Sequence, residues 1–390
     1  MSELVTFGPV EAPVLQQIEN CRMVEAGAPA VLCADNHLGY SMPIGGVVAY
    51  RDHISPSAVG YDIACGNCAI KTDALVKEVN VPKAMDDLWR ELSFGMGQKN
   101  AVKAEHPVLD EIASCNFGFQ RGLAQMAAQQ LGTIGGGNHY VDLFEDAADG
   151  HLWIGVHFGS RGFGHKTATW ALEQAGTKND AMMAPPVTIP IASELGQRYI
   201  DGMERAGRYA YAGRDWVVNY VAGRLGVRML DRIHNHHNFA WRETHGGQSY
   251  WVHRKGATPA FPGERGFVGA TMNEPAVVLE GIESPESAAA LYSTVHGAGR
   301  VLSRTKAAGK RNRKTGEIIT PGIVNFDAVR ETMRQQCVEL RGAGPDEAPE
   351  CYKRLDEVLD YHSGTVRILH TLLPIGVAMA GADVVDPFKD

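Results

Sequence analysis

This sequence predicts a mixed α+β fold in one domain over residues 1–390, and three observations carry it. Short apolar runs ending in glycine-flanked polar residues read as buried strands; Val31-Leu32-Cys33 and Leu152-Trp153-Ile154-Gly155-Val156-His157-Phe158 are two of them. Stretches with helical periodicity lie between such runs, over 82–130 and 192–245. No internal repeat and no Pro/Ser-rich linker divides the chain.

In chain order, Val31-Leu32-Cys33 leads into Asp35-Asn36-His37-Leu38-Gly39-Tyr40. Pro43-Ile44-Gly45-Gly46-Val47 is a turn feeding a second strand. A glycine-bounded turn, Gly60-Tyr61-Asp62-Ile63-Ala64-Cys65-Gly66, precedes the strand Cys68-Ala69-Ile70-Lys71-Thr72. The helical region ends near Leu131, before the glycine-dense Gly135-Gly136-Gly137-Asn138-His139 and the strand Tyr140-Val141-Asp142-Leu143-Phe144. A long helix is expected through 216–241, with strands at 249–252 and 276–279. Ser284 is an N-cap with Pro285 in the first turn of a helix reaching Leu291. The tail holds a helix or two and a last strand, Ile375-Gly376-Val377-Ala378-Met379.

A hydrophobic fraction of 44% with 21% charged residues is that of an ordinary soluble protein. The N-terminus lacks a secretory pattern and no window approaches a membrane span, so a cytoplasmic protein that does not enter the membrane is expected. Seven cysteines without a signal argue against a disulfide framework. A net charge of −8 argues against non-specific coating of nucleic acid. It leaves room for a local basic track, which Arg300, Arg304, Lys306, Lys310, Arg311, Arg313 and Lys314 form. That track reads equally as a solvated loop or a phosphate-binding one.

Two constellations carry chemistry. Asp62 and Cys65 stand three apart, a spacing that presents carboxylate and thiolate to one side. Such a pair suits a borderline divalent ion, with imidazoles completing the site. His139, His157, the group His234, His236 and His237, and His253 are the candidates; each alone is more often a hydrogen-bonded structural histidine than a ligand, and it is their number in one chain that points to metal. The single Cys65-Gly66-Asn67-Cys68 has no matching second pair, which excludes a zinc-finger arrangement. The second constellation is Ser293-Thr294-Val295-His296-Gly297-Ala298-Gly299-Arg300. Bare backbone at Gly297 and Gly299 beside an arginine fork favours an anion. His296 is then a phosphate-binding group, a nucleophile for phosphoryl transfer, or the cap of a glycine-rich turn.

Together these segments resemble the RtcB family of RNA ligases, over nearly the whole chain. The resemblance rests on Asp35-Asn36-His37-Leu38-Gly39-Tyr40, Gly60-Tyr61-Asp62-Ile63-Ala64-Cys65-Gly66, Gly136-Gly137-Asn138-His139 and His157-Phe158-Gly159-Ser160-Arg161-Gly162. It continues through His236-His237-Asn238, Arg254-Lys255-Gly256-Ala257, His296-Gly297-Ala298-Gly299-Arg300 and Ala348-Pro349-Glu350-Cys351-Tyr352-Lys353. It implies an enzyme that joins RNA 2′,3′-cyclic-phosphate or 3′-phosphate ends to 5′-hydroxyl ends, as in tRNA splicing or RNA repair. It implies two Mn2+ ions held by Asp62, Cys65, His139, His157 and His237, with Cys65 bridging, and it leaves out His253. GTP is the implied nucleotide and His296 the histidine that takes up its guanylyl group. Asn138 and Asn238 match phosphate-binding positions, Gly297, Ala298 and Gly299 a backbone cradle, and Tyr352 and Asp142 positions in the nucleotide pocket.

The chain departs from the family pattern at that pocket. Asp142 stands where the family has glutamate, Gly269-Ala270-Thr271-Met272-Asn273 replaces Pro-Gly-Ser-Met-Gly, and Ala276 replaces a serine. The last strand ends at Met379 with no lysine, and Lys389 lies in the tail. The alternatives are a metal-dependent phosphodiesterase or hydrolase of RNA ends and a non-catalytic RNA-end binding protein. An accessory activator is left open.

Overall fold

A computed structural model describes residues 4–177, 181–311, 318–382 and 384. Two large sheets organise them. The five-stranded sheet runs Leu4–Thr6, Ala30–His37, Ile44–Tyr50, Gln248–Lys255, Asn238–His245. The eight-stranded sheet runs Arg265–Val268, Ala276–Gly281, Val366–Met379, Tyr140–Asp146, His151–Phe158, Gly66–Leu75, Met229–His236, with Glu339–Arg341 beside Val366–Met379. Helices and sheets are mixed along the chain, in line with the α+β expectation.

The His151–Phe158 strand is buried at every residue after the first, which is why it reads as a continuous apolar run rather than an alternating one. Its neighbours Gly66–Leu75 and Tyr140–Asp146 pair with it antiparallel. The two ends of the larger sheet approach each other through a side chain. Asn235 Nδ2 donates to the Phe267 carbonyl (3.2 Å) and Asn235 Oδ1 accepts the Phe267 N–H (2.9 Å). The amide thus imitates a strand-to-strand ladder where the backbone ladder stops.

The long helix is Glu194–Leu225. Ser193 caps it by accepting the Gly196 N–H (3.0 Å), and Gly226 at φ +68° ends it in the left-handed conformation that glycine adopts without strain. The helix expected through 216–241 therefore stops at Leu225, and Met229–His236 and Asn238–His245 are strands instead. His234 and His236 sit in the first of these strands, and His237 at the junction of the two, not on a helix. The helix expected from Ser284 is present as Pro285–Ala289, with Ser284 Oγ accepting the Ser287 N–H (2.9 Å). It ends before Leu291, because Leu291 and Tyr292 take positive φ of 50° and 46° to turn the chain into Ser293–Val295. The last strand is longer than expected, beginning at Val366.

Gly66 lets the Gly66–Leu75 and Met229–His236 strands pair at the site end. A Cβ there would lie 2.5 Å from the His236 Cα and closer still to the Asn235 carbonyl oxygen. Gly66→Ala is expected to destabilise by about 1–3 kcal/mol through forced separation of the strands. Thermal unfolding checks this, and a midpoint matching the wild type would refute it.

Candidate functional site

The turn at Asp62 is fixed from three sides. Cys65 N–H bonds the Asp62 carbonyl (3.0 Å), Ala64 N–H bonds the Asn238 carbonyl (2.8 Å), and His237 N–H bonds the Cys65 carbonyl (2.9 Å). Ala64 sits at φ 55°, the bend that brings Cys65 round. Arg214, fully buried on the long helix, donates through Nη1 to the carbonyls of Ala64 (2.8 Å) and Phe158 (2.7 Å). One guanidinium therefore ties the turn that carries Cys65 to the end of the strand that carries His157.

Cys65 Sγ lies 3.4 Å from His139 Nε2 and 3.6 Å from His157 Nε2. These three donor atoms all fall within 4.8 Å of one another. Asp62 Oδ2 joins at 3.1 Å from His139 Nε2. His237 stacks on His157 with centroids 5.2 Å apart and tilts against His296 at 4.8 Å. Its Nδ1 is buried without a hydrogen-bond partner. The five residues expected to hold metal are thus brought together.

Their electrostatics fit a cation. Burial holds the imidazoles of His139, His157 and His237 below their ordinary pKa, so they are neutral at pH 7, the form that ligates metal. Burial, then the Asp62 carboxylate, push the Cys65 thiol up. Burial also raises Asp62, but His139 and Arg161 outweigh it and hold that carboxyl low. A divalent ion would supply the positive charge that turns the thiol into a thiolate. His139 Nδ1 lies 3.1 Å from the Ile134 carbonyl and 3.1 Å from Arg161 Nη1. Nδ1 serves one partner at a time, and donating to Ile134 frees Nε2 for the cleft.

His296 follows Ser293–Val295, which pairs with Ala257–Pro259 in a separate two-stranded sheet. Asp35 Oδ2 accepts both its backbone N–H (3.0 Å) and its Nδ1–H (2.6 Å). Asp35 is fully buried; burial raises its carboxyl, but the His296 charge and hydrogen bonds more than compensate and hold it low. The pair fixes the proton on Nδ1 and leaves Nε2 as the free nitrogen. Gly297, Ala298, Gly299, Asn138 and Asn238 line the same cleft, which holds about 290 Å³. Asn238 is anchored by the Gly256 N–H on its Oδ1 (2.8 Å).

Tyr140, Asp142, Met272, Met379 and Tyr352 also line the cleft. Asp142 is 6% exposed, burial pushes its carboxyl well up, and its Oδ1 has no partner. The Tyr352 hydroxyl meets Glu347 and takes a hydrogen bond from Arg300 (2.6 Å), whose guanidinium lies 4.7 Å over the Tyr352 ring. Ala276 does not line the cleft: it is buried in the eight-stranded sheet beside Leu372. Lys389 falls outside the described residues.

The basic track divides. Arg300 and Arg304 line the cleft and are ion-paired there with Glu347, Arg304 also with Asp346 (3.3 Å). Lys306 and Lys310 are exposed, and Arg313 and Lys314 fall outside the described residues. His253 is structural: its Nε2 accepts the Ser55 N–H (2.9 Å), so no lone pair faces a cleft. Cys68, Asp215 and His234 form a second cluster of donors, but arginines occupy it. Arg214 donates to His234 Nε2 (2.9 Å) and Arg232 to Asp215 (2.9 Å). Asp35, Asn67 and Arg214 are the residues that sequence reasoning missed. The buried, all-apolar flank of Asp35 was the available signal.

Fold and site define a class: a protein built on two large sheets whose cleft faces a thiol–imidazole–carboxylate cluster toward a carboxylate-oriented histidine. The family model described as tRNA-splicing ligase RtcB matches residues 17–120 and 118–380. The tRNA-splicing ligase RtcB of Thermococcus kodakarensis is 29% identical over 433 residues, covering 90% of this chain and 87% of that protein. The RNA-splicing ligase RtcB of Escherichia coli K12 is 29% identical over 399 residues, covering 93% of each. That of Mycobacterium tuberculosis is 31% identical over 430 residues, covering 88% of this chain and 94% of its own length. The chain belongs to the RtcB family. Among the described residues no helix is long and apolar enough to cross a membrane.

Proposed function

We propose that the chain is a manganese-dependent RNA ligase that joins 3′-phosphate or 2′,3′-cyclic-phosphate ends to 5′-hydroxyl ends through a guanylylated His296. One observation carries the reading: His296, its Nδ1–H held by buried Asp35, shares a cleft with Asp62, Cys65, His139, His157 and His237. The names of the relatives support an RNA ligase. Manganese held by those five residues would neutralise phosphate charge.

His296 Nε2 attacks the α-phosphorus of GTP, forming an N–P bond as pyrophosphate leaves. Asp35 stabilises the imidazolium character that develops on His296 during that attack. A cyclic end is first opened by hydrolysis. The guanylyl group then passes to the RNA 3′-phosphate with His296 as leaving group, and the 5′-hydroxyl displaces GMP. Asn138, Asn238 and the backbone of Gly297, Ala298 and Gly299 hold phosphate oxygens in place. Asp142 meets the base, with Tyr140 and Tyr352 beside it. With Met379 at the end of the strand, Asp142 meets no cation among the described residues, which makes base preference the feature most open to change.

The test incubates purified protein with Mn2+ and α-labelled GTP or ATP, then separates it under denaturing conditions. Label from GTP that His296→Ala abolishes is the expected result. Label from ATP instead would keep the chemistry and reassign the base. No label from either, in protein shown to hold manganese, sinks the ligase reading and favours hydrolysis of RNA ends.

A further inference from the structure

Asn67 lies in the Gly66–Leu75 strand, is 1% exposed, and pairs in register with Asn235 on one side and His157 on the other. Its Nδ2 donates to the Phe267 carbonyl (3.0 Å), the carbonyl that Asn235 also takes. A carbonyl only accepts, so the amide nitrogen must face Phe267 and the amide oxygen must face the opposite way. That oxygen sits 2.9 Å from His157 Nδ1, with the Tyr140 hydroxyl a long 3.5 Å from it. The His157 ring is stacked between Tyr140 (5.4 Å) and His237 (5.2 Å), which fixes its plane but not the place of its proton.

We propose that Asn67 is a positioning residue that locks the His157 proton on Nδ1, keeping the Nε2 lone pair aimed at Cys65. The lock is inherited from the closure of the sheet: Phe267 sets the amide, and the amide sets the imidazole. A fixed tautomer of this kind orders a metal ligand before the metal arrives. The proposal rests on the metal reading above, and its test separates the two.

Two variants distinguish positioning from packing. Asn67→Leu removes the acceptor for His157 and one bond to Phe267. Asn235→Leu removes bonds to the same Phe267 peptide without touching His157. Metal-free protein labelled with 15N-histidine reports the His157 tautomer by long-range proton–nitrogen correlation, and calorimetric titration with Mn2+ reports affinity. Wild-type protein and Asn235→Leu are expected to show His157 protonated on Nδ1 and similar affinity. Asn67→Leu is expected to lose the single tautomer and bind Mn2+ about 10–100-fold more weakly. An unchanged tautomer in Asn67→Leu overturns the proposal, as does equal weakening in both variants. Should wild-type protein bind no Mn2+, the metal reading falls, and the tautomer comparison alone decides the role of Asn67.

Discussion

Asp35→Asn is expected to slow the labelling of His296 by about 10²–10⁴-fold, the range set by losing the carboxylate that orients a catalytic imidazole. Two donors of His296 converge on Asp35 Oδ2, and the second oxygen is buried without a partner. An amide of the same shape cannot supply the negative charge. If it turns its NH₂ toward His296, the proton moves to Nε2, the nitrogen that must attack. The backbone bond from His296 survives one of the two amide orientations, so the fold is expected to persist. Single-turnover labelling at saturating nucleotide checks the rate, with thermal unfolding as the control for structure. Labelling within a few-fold of wild type in a well-folded variant would remove Asp35 from the mechanism.

Acidification is expected to cost more stability than any single substitution. Burial holds His234, His253 and His362 each down to about 4. In the unfolded chain the same side chains titrate near 6.5. Below that value the unfolded state binds protons that the folded state refuses, so stability falls as the pH drops from 6.5 toward 4. At pH 5 each contributes a loss of roughly 2 kcal/mol, and three together about 6 kcal/mol, comparable with the whole stability of an ordinary domain. The structural reason is visible at two of them. His253 Nε2 accepts the Ser55 N–H and His362 Nε2 accepts the Ala34 N–H (3.1 Å), and protonation turns each acceptor into a donor facing a donor. Urea unfolding at pH 7.5 and pH 5.0 measures the loss. Equal stability at both values would contradict it, and His362→Asn should show a shallower dependence than the wild type.

The elements that sequence reasoning placed well are those with local signals. Glycines bracket Asp62 and Cys65, a triple glycine precedes His139, and the serine and proline before residue 286 announce their helix. The error at 216–241 has a local cause too. Apolar and aromatic residues continue past Gly226, and the change of period from helix to strand is easily read through. Burial at Ile233, Asn235 and His237, alternating with less deeply buried His234 and His236, is the period-two pattern that marks the strand. The partners of Asp35 and Asn67 were beyond reach for a different reason. Asp35 meets His296 across 261 positions and Asn67 meets Phe267 across 200, and nothing in either neighbourhood records its partner. Ala276 shows the reverse: a position inferred at the pocket from resemblance alone is packed in the sheet.

The place of Val366–Met379 has a consequence for how the chain is made. The last strand among the described residues lies in the middle of its sheet, between Ala276–Gly281 and Tyr140–Asp146. Until it arrives, Tyr140–Asp146 keeps one edge open, and the two parts of the sheet meet through side chains, those of Asn67 and Asn235 on Phe267 among them. Cys65, His139 and His157 are all synthesised long before, so the cluster they form must wait for, or assemble ahead of, the strand that seals the sheet behind it. A nascent chain arrested short of residue 366 is therefore expected to expose strand edges that other chains can pair with. Removing Val366–Met379 takes out a keystone, where the loss of an edge strand would trim a margin.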